Sequence, residues 1–538
     1  MNLLDEPWLP VRDDENRRHW IAPAALGDPA WVAFDADRAD FNGALAQFAI
    51  GLLQTAAPVK NAAQWRGLFQ QPPDAMTLND WFAPLRPAFE FDGDGARFMQ
   101  DRTLGPDEGA GNDIGALLIE APGEQTLKNN ADHFIKRGQV TALCPVCAAT
   151  ALLTLQINAP SGGAGHRTGL RGGGPLATLV ACQPARSLWH DLWLNVLEQE
   201  VFLAHSGDAS RTEPHFTFPW LADIAALQTA KGELAPIQTH PAHLYWAMPR
   251  RIRLDFEATC SGDCDICGRH ADGLLQRYVT KNYGLNYKGA WNHPLSPYYQ
   301  SGEDWLPMHP QPGGIGYRHW LGWVLGQAEG NKSVRPARVV SHLCERRRRD
   351  VSGQLRLWAF GYDMDNMKAR CWYEAQLPLY GLTACEADAQ REVEESVRPW
   401  LAGAELTVFF LRSAVKQAWF DDEARGDFSV IDASFWNATE LAFYRLLREA
   451  IDHARRDSEI DAQSFAAEWH RQLRQVAVEL FDRQFVGAGA IERQNPRRVA
   501  EAHRQLQRNL GGKKLRAALG LPALTNTTKT TESDPVPT

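Results

Sequence analysis

Four of the nine cysteines stand in two Cys-x-x-Cys pairs, Cys144-Pro145-Val146-Cys147 and Cys264-Asp265-Ile266-Cys267, far apart in the chain. Two-residue spacing turns both thiolates of a pair towards one ion. Two such pairs complete a closed tetrahedral four-cysteine site of the kind structural zinc occupies. Gly268 follows the second pair, where glycine relieves a tight turn. A closed site has no open position for water, so its role is structural: the ion clips two distant loops and its binding energy counts towards folding. Two other readings stay open. The thiols are unligated, or Cys144 and Cys147 form a redox dithiol at the start of the helical run Ala148–Gln156, where a helix N-terminus stabilises thiolate. The dithiol reading leaves the second pair without a part. Cys260 stands near enough to substitute as a ligand.

The second candidate is Ser161–Pro175, with seven glycines and His166, Arg167 and Arg171. Glycine lets backbone approach a ligand closely and turns N–H groups towards anions. No Gly-Lys-Ser/Thr follows, so this is not a P-loop. The arginines point to a nucleic-acid backbone or groove; the alternative is a plain flexible loop. Phe134-Ile135-Lys136-Arg137-Gly138 sets an aromatic beside two cations, suited to stacking on a base and pairing with phosphate. Arg346-Arg347-Arg348-Arg349 reads as a solvated face or a phosphate contact. Near the C-terminus Arg493, Arg497, Arg498, Arg504, Arg508, Lys513, Lys514 and Arg516 outnumber Glu492 and Glu501. His190-Asp191 is a lone doublet in an apolar run and reads as structural. No HExxH, GxSxG or kinase signature is present.

These residues need a scaffold, and the chain has ample material for one. It has 538 residues, 44% hydrophobic and 22% charged, close to soluble globular averages. The charge is −9 and the pI about 6.0, so any nucleic-acid contact rests on local basic tracks rather than on net charge. The most apolar stretch, Ala142–Ile157, is too short and too interrupted to span a bilayer. Acidic residues, not basic ones, follow Met1. The odd cysteine count fits reduced thiols. A cytoplasmic protein is expected.

The pattern changes near residue 380. Before it, short strand-like runs (Arg253–Phe256, Leu355–Phe360) and helical runs (Gly43–Thr55) mix with Gly, Pro and Trp, as in an irregular α/β or α+β domain. After it, Val393, Val397, Leu401, Ala404, Val408, Leu411 and Val415 recur at helical spacing, with Pro399 expected to kink or break the helix. Leu441, Tyr444, Leu447 and Ile451 repeat the pattern, as do Phe465, Trp469, Leu473, Val476 and Leu480. A last helix is expected after Asn495-Pro496, ending at Gly511-Gly512 or resuming to Leu519. Four amphipathic segments with short connections predict a four-helix bundle. The expected division is residues 1–378, 379–522 and a disordered tail at 523–538.

Several motifs occur together and in order. They are Met1-Asn2-Leu3-Leu4 with Trp8-Leu9-Pro10-Val11, Phe134–Arg137 ahead of Cys-x-x-Cys, and Gly169-Leu170-Arg171-Gly172-Gly173. Then come Cys-x-x-Cys-Gly, Trp291-Asn292-His293-Pro294 and Gly361–Lys368. On these the chain resembles the large-subunit (CasA) family of the type I-E CRISPR surveillance complex, Cascade. The resemblance implies an α/β N-terminal domain with a zinc-finger-like site of four cysteines, then a four-helix bundle. It implies a non-enzymatic subunit that reads the protospacer-adjacent motif (PAM) of duplex DNA through the minor groove. Such a subunit wedges the duplex open for guide RNA pairing (the R-loop) and docks a nuclease–helicase. The implied partners are double-stranded target DNA, the crRNA-containing Cascade subunits and that nuclease–helicase, with no membrane.

By the same resemblance, the recognition loop falls on Phe134, Ile135, Lys136 and Arg137. The glycine loop beside the PAM falls on Gly162, Gly163, Ala164 and Gly165. The minor-groove lysine finger aligns with Asn282, next to Lys281. The wedge falls on Asp365, Asn366, Met367 and Lys368. Two rival functions stay open: a zinc-stabilised scaffold whose helical bundle binds protein, and a dithiol oxidoreductase.

Overall fold

The structure is a computed structural model. It describes residues 1–538 except 106, 131, 133–136, 230–231, 329–332, 348–349, 352, 366, 421–425, 457–460, 488–494 and 524–538. The tail expected to be disordered lies almost wholly outside the described residues. The chain forms two compact units. One comprises Met1–Ile315 and Gly322–Ala384; the other gathers Gly316–Leu321 and the chain from Cys385 onward. No helix among the described residues is long and apolar enough to cross a membrane.

The first unit mixes helices with small antiparallel sheets: four of three strands and one of two among the described residues. At its centre runs the helix Ala39–Ala56. Its Ala- and Leu-rich sequence is apolar on nearly every side, the pattern of a helix buried all round. Phe48 meets Trp8, Phe89, Phe98 and Trp246 edge to face at 5.0–6.0 Å. Each such pair adds roughly 0.5–1.5 kcal/mol beyond the area it buries. Gly51 is needed for close approach, because a Cβ there would lie 2.7 Å from Tyr245 Cβ.

Against this helix packs a second, Pro145–Asn158, with Cys144 at its N-cap and proline in its first turn. A long hairpin, Gln354–Asp365 with Lys368–Pro378, pairs through its first strand with Ala177–Gln183 as well. The hairpin is fixed to the core three residues short of its tip: the Tyr362 hydroxyl donates to Asp40 Oδ2 at 2.7 Å, and Arg38 forks onto the same carboxylate. The strand Arg277–Lys281 lies between Ala110–Asp113 and Arg251–Leu254.

The second unit is helical. Its long helices are Ala387–Trp419, Ser429–Arg455, Ala462–Glu479 and Pro496–Gly511, with a short one at Lys513–Ala518. The seven positions expected to be apolar on the first helix, Val393 to Val415, are all buried. Of the two outcomes expected at Pro399, a kink or a break, the break does not occur: the helix runs on through it. Glu395, whose carbonyl loses its helical donor to the proline, is exposed, and the buried face on both sides offsets the missing bond. On the second helix the expected stripe holds at Leu447 and Ile451, which are buried, and fails at its first position. Leu441 is 85% exposed, and the buried face also runs through Phe435, Thr439, Phe443, Leu446 and Ala450. Tyr317 belongs to this unit. Its ring stacks on Phe443 at 4.3 Å, and its hydroxyl lies 2.8 Å from Thr439 Oγ1. The last helix starts where expected: Asn495 caps the N–H groups of Arg497 and Arg498, and the chain resumes as a helix past Gly512.

Candidate functional site

The four cysteines of the two pairs come together. Their sulfurs all lie within 4.8 Å of one another, and only Cys267 is more than marginally exposed. Cys144 Sγ and Cys267 Sγ are 3.8 Å apart. Tetrahedral ligands about 2.3 Å from zinc stand roughly 3.8 Å from each other, so the donor set fits such an ion. Cys260 does not join the group; it pairs with Leu274 in the hairpin Thr259–Asp263/His270–Leu275.

The local sequence builds both halves. In the first, the helix N-terminus points the Cys147 N–H at Cys144 Sγ, 3.5 Å away. In the second, a tight turn bonds the Gly268 N–H to the Cys264 carbonyl and puts Gly268 at φ +67°. A Cβ at Gly268 would touch nothing, so the backbone angle, not space, calls for glycine.

Bonds that need no metal join the halves. Asp265 Oδ2 accepts from the N–H groups of Thr141 and Ala142, at 2.7 and 2.9 Å, and the Cys144 N–H lies 3.3 Å from Cys264 Sγ. Hydrogen bonds from the Cys144 and Cys147 thiols hold Cys264 well below the usual thiol range and bring Cys267 down to about 7. The crowding of Cys144, then of Cys264 and Cys267, together with burial, pushes Cys147 up. Thiols pressed together in this way ionise as a set only beside a cation.

The glycine loop and the finger positions also meet, 118 residues apart in sequence. Asn282 Nδ2 donates to the Ala164 carbonyl at 3.0 Å, and the Tyr283 N–H donates to the Gly165 carbonyl at 2.8 Å. Gly163 and Gly165 both have φ +82°, and a Cβ on Gly165 would lie 2.7 Å from Asn282 Cβ. Lys281 ends the strand Arg277–Lys281, exposed and with no ion-pair partner among the described residues. The loop's base is pinned by Arg250, which donates to the Pro160 carbonyl and to His166 Nδ1. Burial, then the Arg250 charge, push His166 down, which keeps its ring neutral and able to accept.

Sequence reasoning misses Tyr283. It is 62% exposed, sits at φ +64°, and carries the Arg167 guanidinium 5.7 Å from its ring centroid. A bulky residue in the left-handed region is costly. The only sequence signal is an aromatic directly after Lys-Asn at a strand end.

Of the wedge positions, Asp365 and Lys368 face each other across the hairpin tip, and Met367 between them is 54% exposed. Asn366 lies outside the described residues. Below the tip the ladder slips: Asp363 pairs with Cys371 but Met364 with Ala369, which leaves Arg370 as an extra residue. Arg370 forks onto the buried Asp363 carboxylate at 2.6 and 3.1 Å. The far end of the glycine loop meets this hairpin, for a Cβ on Gly174 would lie 2.6 Å from Tyr362 Cβ and 2.9 Å from Met364 Cε.

In the recognition loop, Phe134, Ile135 and Lys136 lie outside the described residues. Arg137 is tied back by a two-bond fork to Asp132, at 2.6 Å for each bond, and by bonds to Asn130 and the Leu127 carbonyl. The Asp132 carboxylate raises its pKa.

In two basic motifs one arginine turns inward, while Arg346 stays exposed. Arg171 is buried, donating to Ser296 Oγ and Gln47 Oε1. Arg347 is buried on the ring of Trp65 at 3.8 Å and paired with Glu198 at 2.6 Å; Arg348 and Arg349 lie outside the described residues. In the last helical segment Arg498 caps the Ala387–Trp419 helix through the Ala418 and Trp419 carbonyls. His190 and Asp191 are structural: His190 Nδ1 meets Ser187 Oγ, and Asp191 accepts from the Cys182 N–H.

This fold is shared with CRISPR-associated proteins. The chain is similar to the crystal structure of CasA from Thermus thermophilus, at 18% identity and a TM-score of 0.67, over 95% of this chain and 99% of that one. It is similar to Thermobifida fusca Cse1, at 16% identity and a TM-score of 0.69, over 97% and 98% of the two chains. It is also similar to a chain of a CRISPR RNA-guided surveillance complex, at 16% identity and a TM-score of 0.66, over 95% and 99%. In sequence, the family described as CRISPR-associated protein Cse1 matches residues 2–480. The chain belongs to that family, the CasA large subunits.

Proposed function

We propose that this chain is the DNA-recognition subunit of a type I-E Cascade, non-enzymatic and cytoplasmic, assembled with crRNA-containing subunits. In this reading it meets the PAM of duplex DNA through Gly162–Gly165 and Lys281, opens the duplex with the hairpin tip, and docks a nuclease–helicase on the resulting R-loop. The observation that carries it is the joining of residues 162–165 to 281–283 on one exposed edge, beside a free lysine. Small residues let backbone approach a groove floor, and an ammonium donates to the N3 and O2 acceptors that line it. Lys281 is the better finger: it is exposed and has no ion-pair partner among the described residues, whereas Asn282 is spent holding Ala164. Arg167 and Tyr283 extend that edge with a charge for phosphate and a face for a sugar or base. Met367 supplies an apolar side chain able to unstack a base step, an act that costs a few kcal/mol. Guide pairing carries most of the sequence specificity in such systems, so a degenerate groove code suffices.

The four cysteines hold zinc in this reading, as a structural clip between residues 141–147 and 264–268. The helical unit is a four-helix bundle. The dithiol alternative is weaker, because the second pair stands against the first and crowds the thiols a redox centre would need free.

The test is target binding by the reconstituted complex, with and without this chain, on duplexes that differ only in the PAM. The Asn366→Ala, Met367→Ala double variant runs alongside. PAM-dependent binding that needs the chain and falls in the double variant supports the reading. Binding indifferent to the chain overturns it.

A further inference from the structure

The loop that exposes Gly163 and Ala164 buries Arg171. Its guanidinium donates to two neutral acceptors, Ser296 Oγ at 3.0 Å and Gln47 Oε1 at 2.5 Å, and its carbonyl accepts from His309 Nε2 at 3.0 Å. No carboxylate pairs with it among the described residues. Burial lowers its pKa only to about 10, so the charge persists at neutral pH. A buried cation without a counter-charge is among the costliest features a core can hold.

Beside Arg171 lies a cavity of about 20 Å³, lined also by Gln47, Gln156, Tyr245 and His293. A single water needs roughly 10–15 Å³, so there is room for one small guest. Most of its polar walls are already occupied. Gln47 Nε2 donates to the Gly43 carbonyl; Gln156 bonds the backbone of Met99 and Arg250; His293 Nδ1 accepts from the Leu295 N–H. Burial, then the Arg171 charge, keep His293 neutral. One group remains unanswered: the Tyr245 hydroxyl is buried without any hydrogen-bond partner among the described residues. The cavity therefore joins a charge lacking its counter-charge to an O–H lacking an acceptor. Both needs have the same sign, and one anion meets them together, whereas a neutral water leaves the charge uncompensated.

We propose that this cavity binds one small monovalent anion of the size of chloride, held between the Arg171 guanidinium and the Tyr245 hydroxyl. Arg171 lies in the same loop as Gly162–Gly165, so the anion completes the anchor from which that loop extends. The proposal rests on the core alone and stands whether or not the loop meets DNA.

The experiment uses the full chain in sodium chloride or sodium gluconate at constant ionic strength, gluconate being too large for the cavity. The melting temperature is expected to rise by roughly 2–4 °C as chloride replaces gluconate, as for a ligand that binds only the folded state. A bromide-soaked crystal should show an anomalous peak between Arg171 and Tyr245. Tyr245→Phe, which removes one oxygen and keeps the packing, should raise the half-saturating chloride concentration several-fold. Arg171→Met should abolish the chloride dependence; if that variant does not fold, Tyr245→Phe and the bromide peak still decide. Equal melting in the two salts, or a crystal with water and no bromide at that point, overturns the proposal.

Discussion

The cysteine knuckles and the glycine-loop edge are built by opposite rules. Around the cysteines polar groups are answered within the site: Asp265 takes two backbone N–H groups, Cys144 and Cys264 take one each, and the thiols face one another. At the loop edge the same unit leaves groups open. Lys281 has no ion-pair partner among the described residues, Tyr283 is held in a costly backbone conformation with its ring in solvent, and Gly163 and Gly165 present bare backbone. A site that only stabilises has no use for strain or unpaired charge. A site that awaits a partner carries both. In the proposed reading the contrast is that of a clip against a contact surface.

The sharpest way to break this comparison is to open the clip. Replacing Cys264 and Cys267 by serine should remove zinc from the protein and, with it, on the order of 10 kcal/mol of metal-coupled stability. Metal analysis and thermal melting measure both, and full stability without zinc would show that the knuckles need no ion.

Next in size is Gly165→Val. It adds a Cβ 2.7 Å from Asn282 at φ +82° and should cost about 2–3 kcal/mol of local strain. Duplex binding by the assembled complex should fall at least tenfold while zinc content stays at the parental level. A parallel loss of zinc would mean that the two regions are one cooperative structure.

Lys281→Ala sharpens the comparison further. It should weaken binding to the correct PAM about tenfold, the worth of one base-edge contact, and reduce the salt slope by about one. Titrations at several salt concentrations read both, and an unchanged slope would place Lys281 away from the DNA.

The smallest effect is one of pH. The folded-state pKa of His166 is depressed, so the folded loop binds fewer protons than the unfolded chain. Its stabilising contribution is complete above the ordinary imidazole pKa of about 6.5 and is lost as pH falls through the lower folded value. The hydrogen-exchange protection factors at residues 160–167, taken relative to the intrinsic exchange rate at each pH, should fall in acid. His166→Asn, which keeps an acceptor but does not titrate, should remove that dependence.

What is legible in the sequence is whatever is local. The spacing within Cys-x-x-Cys fixes how two sulfurs face an ion, and the helical stripe from Val393 to Val415 follows from a period of about 3.6 residues. What stays hidden is tertiary. Arg167 and Arg171 stand in one loop, yet one stacks beside an exposed tyrosine and the other sits in the core; nothing in the loop's own sequence tells them apart. Arg347 reads as part of a basic run, yet Glu198 and Trp65, far away in the chain, take it inside. Leu441 fits a helical period with the buried Leu447 and Ile451, yet it is exposed, while Phe443 beside it goes inside and stacks on Tyr317. The left-handed Tyr283 leaves no mark in composition at all.

The extra residue at Arg370 has a consequence of parity. Side chains along a strand alternate between faces, so one unpaired residue exchanges the faces of everything beyond it. Between Asp363 and the tip, the returning strand is therefore out of step with its own lower half. Deleting Arg370 would give a regular ladder with the same partners, Ala369 still opposite Met364 and Lys368 opposite Asp365, but without the bend and added twist of the bulge. The direction in which this hairpin delivers its tip is thus set by one surplus residue, and deleting it, leaving every tip side chain in place, is enough to point the tip elsewhere.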